Sequence, residues 1–378
     1  MTKWIPTFVL PDIFISDSVE GGMAAVANCD DPRVQQILAD IPVLAQFVQK
    51  FTNAFGRKIR PSMLILRDDV PKSFLTVDAV ASFRDLVAMS VVPLSRARSI
   101  VWQRSFATFY SDWYDFYPWM INTAHQHLVC HTPALAGLET IDDFHGQGAP
   151  DLANIILEKR DFDTVMLQAL IKRWRRRYGQ RSASWADVAL FRSLNMAVAA
   201  SKMPATVDTT LFSLGRSVGL WVSAFEILAH PKIGRSNLHL VYSLLDSAPW
   251  QGKNLRRKRY RAFVTANRQK QNNAPLRSLP CWLYGEIYHA RNDFLHGNPI
   301  RINRLRVKVS GRSLFQYAPL LYRMALSAFL PLKLSLTAPP ASRAKAYGKY
   351  LAKYFAFYYE QRDIEQGITT VREKPKGL

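Results

Sequence analysis

The chain has 378 residues, 48% of them apolar and 21% charged, so it is long enough for two or three domains with a sizeable core. This composition excludes a disordered chain and a disulfide-stapled mini-protein. Lysine and arginine outnumber aspartate and glutamate by 50 to 29, which gives a net charge of +21. So large an excess predicts a polyanionic partner, nucleic acid first and a membrane surface second.

Cysteine usage and hydropathy bear on the compartment. Cys29, Cys130 and Cys281 are odd in number and widely scattered, which argues against a disulfide framework and for a reducing compartment. Pro6 and Pro11 interrupt the apolar N-terminus before a signal peptide could form. A membrane span needs about 18 consecutive apolar residues, and no such stretch occurs. We therefore expect a cytoplasmic protein without membrane insertion.

Charge is distributed unevenly along the chain. Residues 1–150 carry a net charge of −3, whereas residues 151–378 carry +24. Loop-forming residues clustered at 139–152 predict a boundary between the two parts. We expect a mixed α/β domain at 1–150, a helical connector with a basic segment at 151–204, and a helical bundle at 205–378. The basic C-terminal part is the one expected to meet the polyanion.

Hydrophobic periodicity in the N-terminal domain predicts helices over 33–55 and 77–98, the second opened by Thr76 as its N-cap. The apolar run at 63–66 and the aromatic-rich segment at 106–117 predict strands. The N-terminal domain is therefore expected to mix helices with strands.

Beyond residue 161 the pattern is helical throughout, and Ser184 with Asp187 forms a capping-box signature. Apolar residues at helical spacing predict helices over 161–178, 184–201, 208–231, 281–296, 314–334 and 342–360. Gly297 is expected to stop the fourth of these. The predicted fold class is α+β overall, with the mixed N-terminal part followed by an all-α bundle.

The most specific motif lies at residues 288–298, which read Tyr-His-Ala-Arg-Asn-Asp-Phe-Leu-His-Gly-Asn. Arg291 and His296 lie about 140° apart around a helix, so they do not stack as an i,i+4 metal pair does. His296 falls on the last turn, where the helix dipole favours the imidazolium. Such a pair suits RNA cleavage by attack of the 2′-OH on its own phosphate: histidine moves the proton and arginine stabilises the phosphorane. That chemistry requires neither a metal nor a cofactor.

This motif resembles the R-x4-6-H signature of the HEPN superfamily, and its Arg-Asn-x-x-x-His-Gly form is most similar to the ApeA-like branch. A second similarity is the segment 220–228, whose Ala-Phe-Glu-Ile-Leu core matches a helix of that branch. The resemblance covers about residues 205–360. It leaves the N-terminal domain and the tyrosine-rich C-terminal helix unexplained.

The resemblance implies a helical bundle that forms a homodimer, with the motifs of two protomers facing one cleft. It also implies a metal-independent endoribonuclease with a role in defence or as a toxin. Apart from the resemblance, we expect the N-terminal domain to sense a protein or phage-derived trigger, to dock a partner or to restrain the nuclease. Arg291 and His296 would then be catalytic, Asn292 the supporting polar residue, and Glu226 the acid that orients the arginine. From the residues alone, either Arg291 or Arg216 could partner a half-buried Glu226.

Two basic segments interleave cations with aromatic residues, a composition that can pair phosphates and stack unpaired bases. RNA, either single-stranded or tRNA, is therefore the expected partner. The cations predicted to contact it are Lys172, Arg173, Arg175, Arg176, Arg177, Arg256, Arg257, Lys258, Arg259 and Arg261.

Two other interpretations stay open. The chain could be a non-catalytic HEPN-like module that binds RNA or protein through its basic surface. Alternatively, His125, His127, Cys130 and His131 could bind zinc in a metal-dependent hydrolase, although their spacing matches no zinc finger. We expect no metal at the Arg291 motif.

Overall fold

The computed structural model describes residues 3–52, 56–102, 119–121, 128–130, 155–202, 211–264, 275–332 and 338–373. These residues form a mainly helical chain with an antiparallel sheet near the N-terminus, which confirms the predicted α+β class. Within the described ranges, every helix is too short or too polar to cross a membrane. The boundary predicted at 139–152 lies outside the described residues.

The chain divides into two compact units. The first comprises the described residues within 1–88, 111–161 and 174–182, and the second those within 89–110, 162–173 and 183–378. The strands of the first unit are β1 (Trp4–Leu10), β2 (Ile13–Ile15), β3 (Val19–Glu20), β4 (Ala24–Asn28), β5 (Ser62–Arg67), β6 (Trp119–Ile121), β7 (Leu128–Cys130) and β8 (Ile155–Leu157).

Most of these strands join one antiparallel sheet in the order β3-β4-β5-β1-β6-β7, while β2 and β8 pair in parallel. Strand β5 contains the predicted run 63–66 and lies inside the sheet, where Ile65 is opposite Ala25 on one side and Pro6 on the other. A strand paired on both edges reads as a continuous apolar run, which is why it was predictable. The other predicted strand, 106–117, lies outside the described residues.

Two short helices, α1 (Pro32–Asp40) and α2 (Pro42–Val48), share a core with the strand residues Val9 and Met63. The prediction of one helix over 33–55 is wrong. Pro42 has no N–H to donate, so the chain leaves the helical conformation at Ile41 and begins a new helix with Pro42 in its first turn.

The predicted N-cap of helix α3 (Val77–Trp102) is confirmed, because Thr76 Oγ1 accepts a hydrogen bond from the Ala79 N–H at 3.2 Å. Helix α4 (Thr164–Gly179) corresponds to the predicted helix at 161–178. In the first unit, the Trp174 indole is fully buried and donates to the Ala79 carbonyl at 2.8 Å. The same indole lies 4.8 Å from the ring of Phe83, so this end of α4 is part of a core.

The second unit is a helical bundle. Its remaining elements are α5 (Trp185–Lys202), α6 (Leu211–Leu228), α7 (Leu238–Asp246), α8 (Lys253–Arg256), β9 (Tyr260–Arg261), β10 (Leu276–Arg277), α9 (Leu279–Leu295), α10 (Ala318–Phe329) and α11 (Ala344–Thr369). The predicted capping box is present: Ser184 Oγ accepts from the Asp187 N–H at 3.2 Å and donates to its carboxylate at 2.6 Å. Asp208 lies outside the described residues.

The core of the bundle sets α6 and α9 side by side. Phe225 of α6 lies 4.8 Å from the ring of Tyr284 on α9, and Tyr322 of α10 meets Phe225 edge-on at 5.5 Å. Rings buried at these distances fix the relative position of the two helices. Glu226, directly after Phe225, and Arg291, two turns beyond Tyr284, are thereby held close together.

A buried polar network connects Asp163, the residue before α4, with α10 and α11. The guanidinium of Arg323 is almost fully buried; its Nε lies 2.7 Å from Asp163 Oδ2, and its Nη1 donates to Gln361. A buried arginine is tolerated only where acceptors replace the water it has lost. Its ion pair and hydrogen bond therefore lock the second half of α11 into the bundle.

Candidate functional site

The predicted carboxylate and arginine come from two different helices. Glu226 lies near the C-terminal end of α6 and Arg291 in the last two turns of α9, with 3.9 Å between Glu226 Oε2 and Arg291 Nη2. The Glu226 side chain is 21% exposed and that of Arg291 is 23% exposed. At 3.9 Å the contact is an ion pair rather than a hydrogen bond. Arg291, not Arg216, is thus the cation that the structure places beside Glu226.

Burial governs the ionisation of Glu226. Loss of solvent raises the pKa of its carboxyl above the usual value, and the positive charge of Arg291 opposes that rise. Arg291 therefore stabilises the charged form of this carboxylate. Removing the arginine would leave a half-buried acid without its counter-ion.

The guanidinium of Arg291 lies among polar and aromatic side chains. Its Nη1 donates to the Oδ1 of Asn292 at 3.1 Å, its centre lies 5.5 Å from the ring centre of Tyr288, and its Nη2 lies 3.9 Å from Glu226 Oε2. Nε of Arg291 is buried and has no hydrogen-bond partner among the described residues. Asn292 and Glu226 thus orient the arginine, while its Nε–H has no acceptor among the described residues.

His296 is the C-cap of α9, and its side chain is exposed. Its backbone N–H still donates to the Asn292 carbonyl at 3.0 Å, after which Gly297 takes a left-handed φ of 69°. The Asn298 N–H then donates back to the Asp293 carbonyl at 3.1 Å, which closes the helix end. The predicted stop at Gly297 is confirmed, and it presents the imidazole to solvent.

Glu226, Arg291 and Asn292 form one contiguous group, whereas His296 stands apart. Within the described part of the chain, its imidazole makes no hydrogen bond or ion pair with any of these three residues. At about 100° per residue, Asn292 lies between Arg291 and His296 around the helix axis. A ligand touching both the arginine and the histidine would therefore cross the side chain of Asn292.

No family model, curated protein or solved structure matches this chain.

Sequence reasoning missed a tyrosine cluster behind the arginine. Tyr284 and Tyr288 precede Arg291 on the same stripe of α9, with their ring centres 6.3 Å apart. Tyr284 is fully buried, and its hydroxyl has no hydrogen-bond partner among the described residues. Burial and the negative charge of Glu226 both raise the pKa of Tyr284. The available signal was the i,i+4,i+7 spacing of two tyrosines and the arginine.

The opposite face of α9 carries a second charged group. Arg304 Nε lies 2.6 Å from Asp293 Oδ2 and its Nη1 lies 3.6 Å from Glu286. His289 stacks on Phe263 with ring centres 4.3 Å apart, and burial followed by the nearby Arg304 lowers the pKa of His289. Arg304 is therefore paired with two acidic residues of α9. His289, the other histidine of the motif, is half-buried.

The first basic segment is less available than its sequence suggested. Trp174 and Tyr178 are buried and cannot stack bases, which corrects the interpretation of this segment as an aromatic platform. Arg173 Nε lies 2.7 Å from the buried Asp187, and Arg175 Nε donates to the Gly21 carbonyl at 2.7 Å. Lys172 is exposed, whereas Arg176 and Arg177 are half-buried.

The second basic segment is open to solvent. Arg256, Arg257, Lys258, Arg259 and Arg261 are all exposed. Tyr260, between them, is half-buried, with the guanidinium of Arg259 at 5.6 Å and that of Arg372 at 5.4 Å from its ring centre. Of the two predicted segments, this one has all its cations exposed to solvent, where phosphate can reach them.

The alternative metal cluster cannot be placed, because His125, His127 and His131 lie outside the described residues. Among the residues that the structure does describe, no three histidine, cysteine, aspartate or glutamate side chains are grouped closely enough to hold a metal ion.

Proposed function

We propose that this protein is a metal-independent endoribonuclease of the HEPN type, which cleaves RNA and leaves 2′,3′-cyclic phosphate ends. The observation that supports this most directly is the pairing of Glu226 with Arg291 across two helices. A chance arginine and histidine five residues apart would not bring a carboxylate from another helix against the arginine. His296, exposed at the C-cap of the same helix as Arg291, supplies the imidazole.

The reaction follows from the chemistry of these groups. His296 accepts the proton of the 2′-OH as that oxygen forms a bond to the adjacent phosphorus. Negative charge builds on the non-bridging oxygens, where the guanidinium of Arg291 stabilises it. The bond from phosphorus to the 5′-oxygen then breaks, and the leaving oxygen takes a proton from an imidazolium. The products are a 2′,3′-cyclic phosphate and a 5′-hydroxyl.

The remaining residues hold this arrangement. Glu226 and Asn292 orient Arg291, and in a homodimer two copies of the site would face one cleft, so that one imidazole could accept the proton and the other donate one. The exposed cations of residues 256–261 would bind the phosphates of single-stranded RNA or tRNA. A defence or toxin role would follow if a trigger acting on the N-terminal domain releases the cleavage.

The test is to incubate end-labelled single-stranded RNA and tRNA with the protein in excess EDTA and to identify the ends of the fragments. Cleavage that persists in EDTA and leaves 2′,3′-cyclic phosphates is expected from the wild type. Arg291→Ala and His296→Ala should each abolish it. Matched controls are Arg301→Ala and His239→Ala, which remove an exposed arginine and an exposed histidine from elsewhere in the same unit.

A second candidate is a non-catalytic module that binds RNA. It is favoured by the exposure of the 256–261 cations, since they need neither Arg291 nor His296 in order to bind phosphate. RNA binding without cleavage, unchanged in Arg291→Ala and His296→Ala, would support this function over the nuclease.

A further inference from the structure

The first half of α11 carries an aromatic surface that the proposed reaction does not use. None of residues 344–356 is buried, whereas Phe357, Gln361 and Ile364 of the second half are buried in the bundle. Exposed aromatic side chains that cluster on one surface can mark an interaction site.

Aromatic side chains on this half and at the start of the second half form two stacks along the helix. The rings of Tyr350, Tyr354 and Tyr358 follow one another at 6.0 and 6.1 Å, with interplanar angles of 26° and 14°. Phe355 and Tyr359 stack at 6.3 Å. Phe355 is 49% exposed, Tyr358 38% and Tyr359 46%. These rings are therefore pre-ordered by each other while much of their surface faces water.

Positive charge accompanies the rings. Arg343, Lys345, Lys349 and Lys353 lie in this stretch, and no acidic residue occurs between 341 and 359. The lysines recur every four residues and so form one stripe beside the aromatic residues. All three are exposed.

We propose that the aromatic-lysine surface, defined as residues 343–359, binds unpaired RNA, with bases on the rings and phosphates on the lysines. This combination of stacking rings and cations is how proteins hold single strands without reading their sequence. The inference rests on the proposed function for the choice of RNA as the polyanion. It adds a binding surface distinct from Arg291 and His296.

The charge of the surface decides between RNA and a second copy of the chain. Two copies of this helix meeting face to face would bring four positive charges against four, with no acid in either stretch to balance them. RNA supplies the complementary charge. Tyrosine hydroxyls on the aromatic side also suit the polar edges of bases better than the acyl chains of a lipid surface.

The experiment measures RNA affinity in the His296→Ala full-length protein, so that cleavage does not obscure binding. A fluorescent unstructured single strand and a blunt duplex of equal length are titrated by anisotropy. Phe355→Ala with Tyr359→Ala should weaken single-strand binding about tenfold or more, because one stacked base is worth roughly that factor. Lys349→Gln with Lys353→Gln should lower the slope of log affinity against log salt by about 1.4.

Ile233→Ala is the apolar control and Lys50→Gln with Lys72→Gln the cationic control, because each alters exposed side chains elsewhere. Thermal melts check that every variant is folded. The proposal is overturned if the His296→Ala parent does not bind the single strand or if the ring variant binds it unchanged. It is equally overturned if the ring variant loses only dimerisation, or only binding to phosphatidylserine vesicles.

The two proposals can fail separately. Ring-dependent binding by a protein that never cleaves RNA would retain the aromatic-lysine surface and reject the nuclease. If the protein cleaves RNA but the ring variant binds RNA as tightly as its parent, the nuclease is retained and the aromatic-lysine surface is rejected.

Discussion

Gly215 of α6 lies directly against the ring of Phe294 on α9: a Cβ at position 215 would come within 2.2 Å of Phe294 Cδ1. Phe294 sits between Arg291 and His296 in sequence, so the approach of α6 to this turn sets where both side chains are held. Only a residue without a side chain allows the two helices to be this close.

Gly215→Ala should therefore destabilise the fold by about 1–3 kcal/mol, as overpacking of a core does. Because the Phe294 ring must move, cleavage should also decline if the proposed function holds. Gly219→Ala is the matched control, since an added Cβ there would meet no described atom within 4 Å beyond its chain neighbours and the nearby backbone of its own helix. It should be neutral, or more stable by up to about 1 kcal/mol. Urea unfolding of both variants tests this; equal losses would contradict the close contact.

If the proposed function holds, Glu226 is expected to contribute to the acid limb of activity. Burial raises the pKa of its carboxyl, so it loses its charge at a higher pH than an ordinary glutamate does. As pH falls, the Glu226 carboxylate takes up a proton, the ion pair with Arg291 is lost, and kcat/KM should drop. Glu226→Gln should be less active at neutral pH by about 10 to 100 fold, since it no longer holds Arg291 in place. The part of the acid limb that comes from Glu226 should be missing from its pH profile, while the part that comes from the general base His296 should remain.

Glu226→Asp is the companion variant, because it retains a carboxylate. It should recover part of the activity and keep a pH-dependent limb. A pH profile of kcat/KM for all three proteins separates this positioning role from a loss of folding, which would lower activity at every pH without changing its shape.

The helix stop at Gly297 could be predicted because it depends on residue type. The residues alone left either Arg291 or Arg216 as the partner of Glu226, and only the packing of α6 against α9 decides between them. Periodicity could not show which aromatic residues face solvent. Trp174, placed among arginines, proved to be buried, while Phe355 proved to be exposed. An aromatic residue at helical spacing looks the same in both settings, and only tertiary packing decides between them.

The sequence patterns also failed to predict short elements. Helix α7 has 9 residues, too few for a periodic pattern to stand out from a loop. A local signal existed, since the Asn237 side chain caps the helix by accepting from the Leu240 N–H at 3.0 Å. The break at Pro42 was likewise visible as a residue type, but apolar periodicity continued across it.

Tyr284→Phe should not weaken the fold. The hydroxyl is fully buried and has no partner among the described residues, so its removal relieves the cost of an unpaired polar group. We expect equal stability or a gain of about 1 kcal/mol in urea unfolding. Tyr242→Phe is the contrast, because that hydroxyl donates to the Phe263 carbonyl at 2.8 Å and its loss should destabilise. A clear loss of stability in Tyr284→Phe would reveal a hydrogen bond to this hydroxyl.

Glu360 should make the fold less stable as pH rises. Burial, followed by the nearby charge of Asp163, raises its pKa from 4.5 to about 9 in the folded protein. Between these values the folded state retains a proton that the unfolded chain has released, so the free energy of unfolding declines with increasing pH. Each unit of pKa difference is worth about 1.4 kcal/mol, and a loss of at least about 2 kcal/mol is expected between pH 5 and pH 9.

Glu360→Gln removes the titrating group, while its amide can still accept from the Thr164 N–H, which donates to Glu360 Oε1 at 3.2 Å. This variant should match the wild type near pH 4 and exceed its stability near pH 8. Glu373→Gln, at an exposed glutamate, should leave the wild-type slope unchanged. Urea unfolding measured across this pH range decides the matter. Parallel curves for wild type and Glu360→Gln would show that Glu360 is not held protonated in the fold.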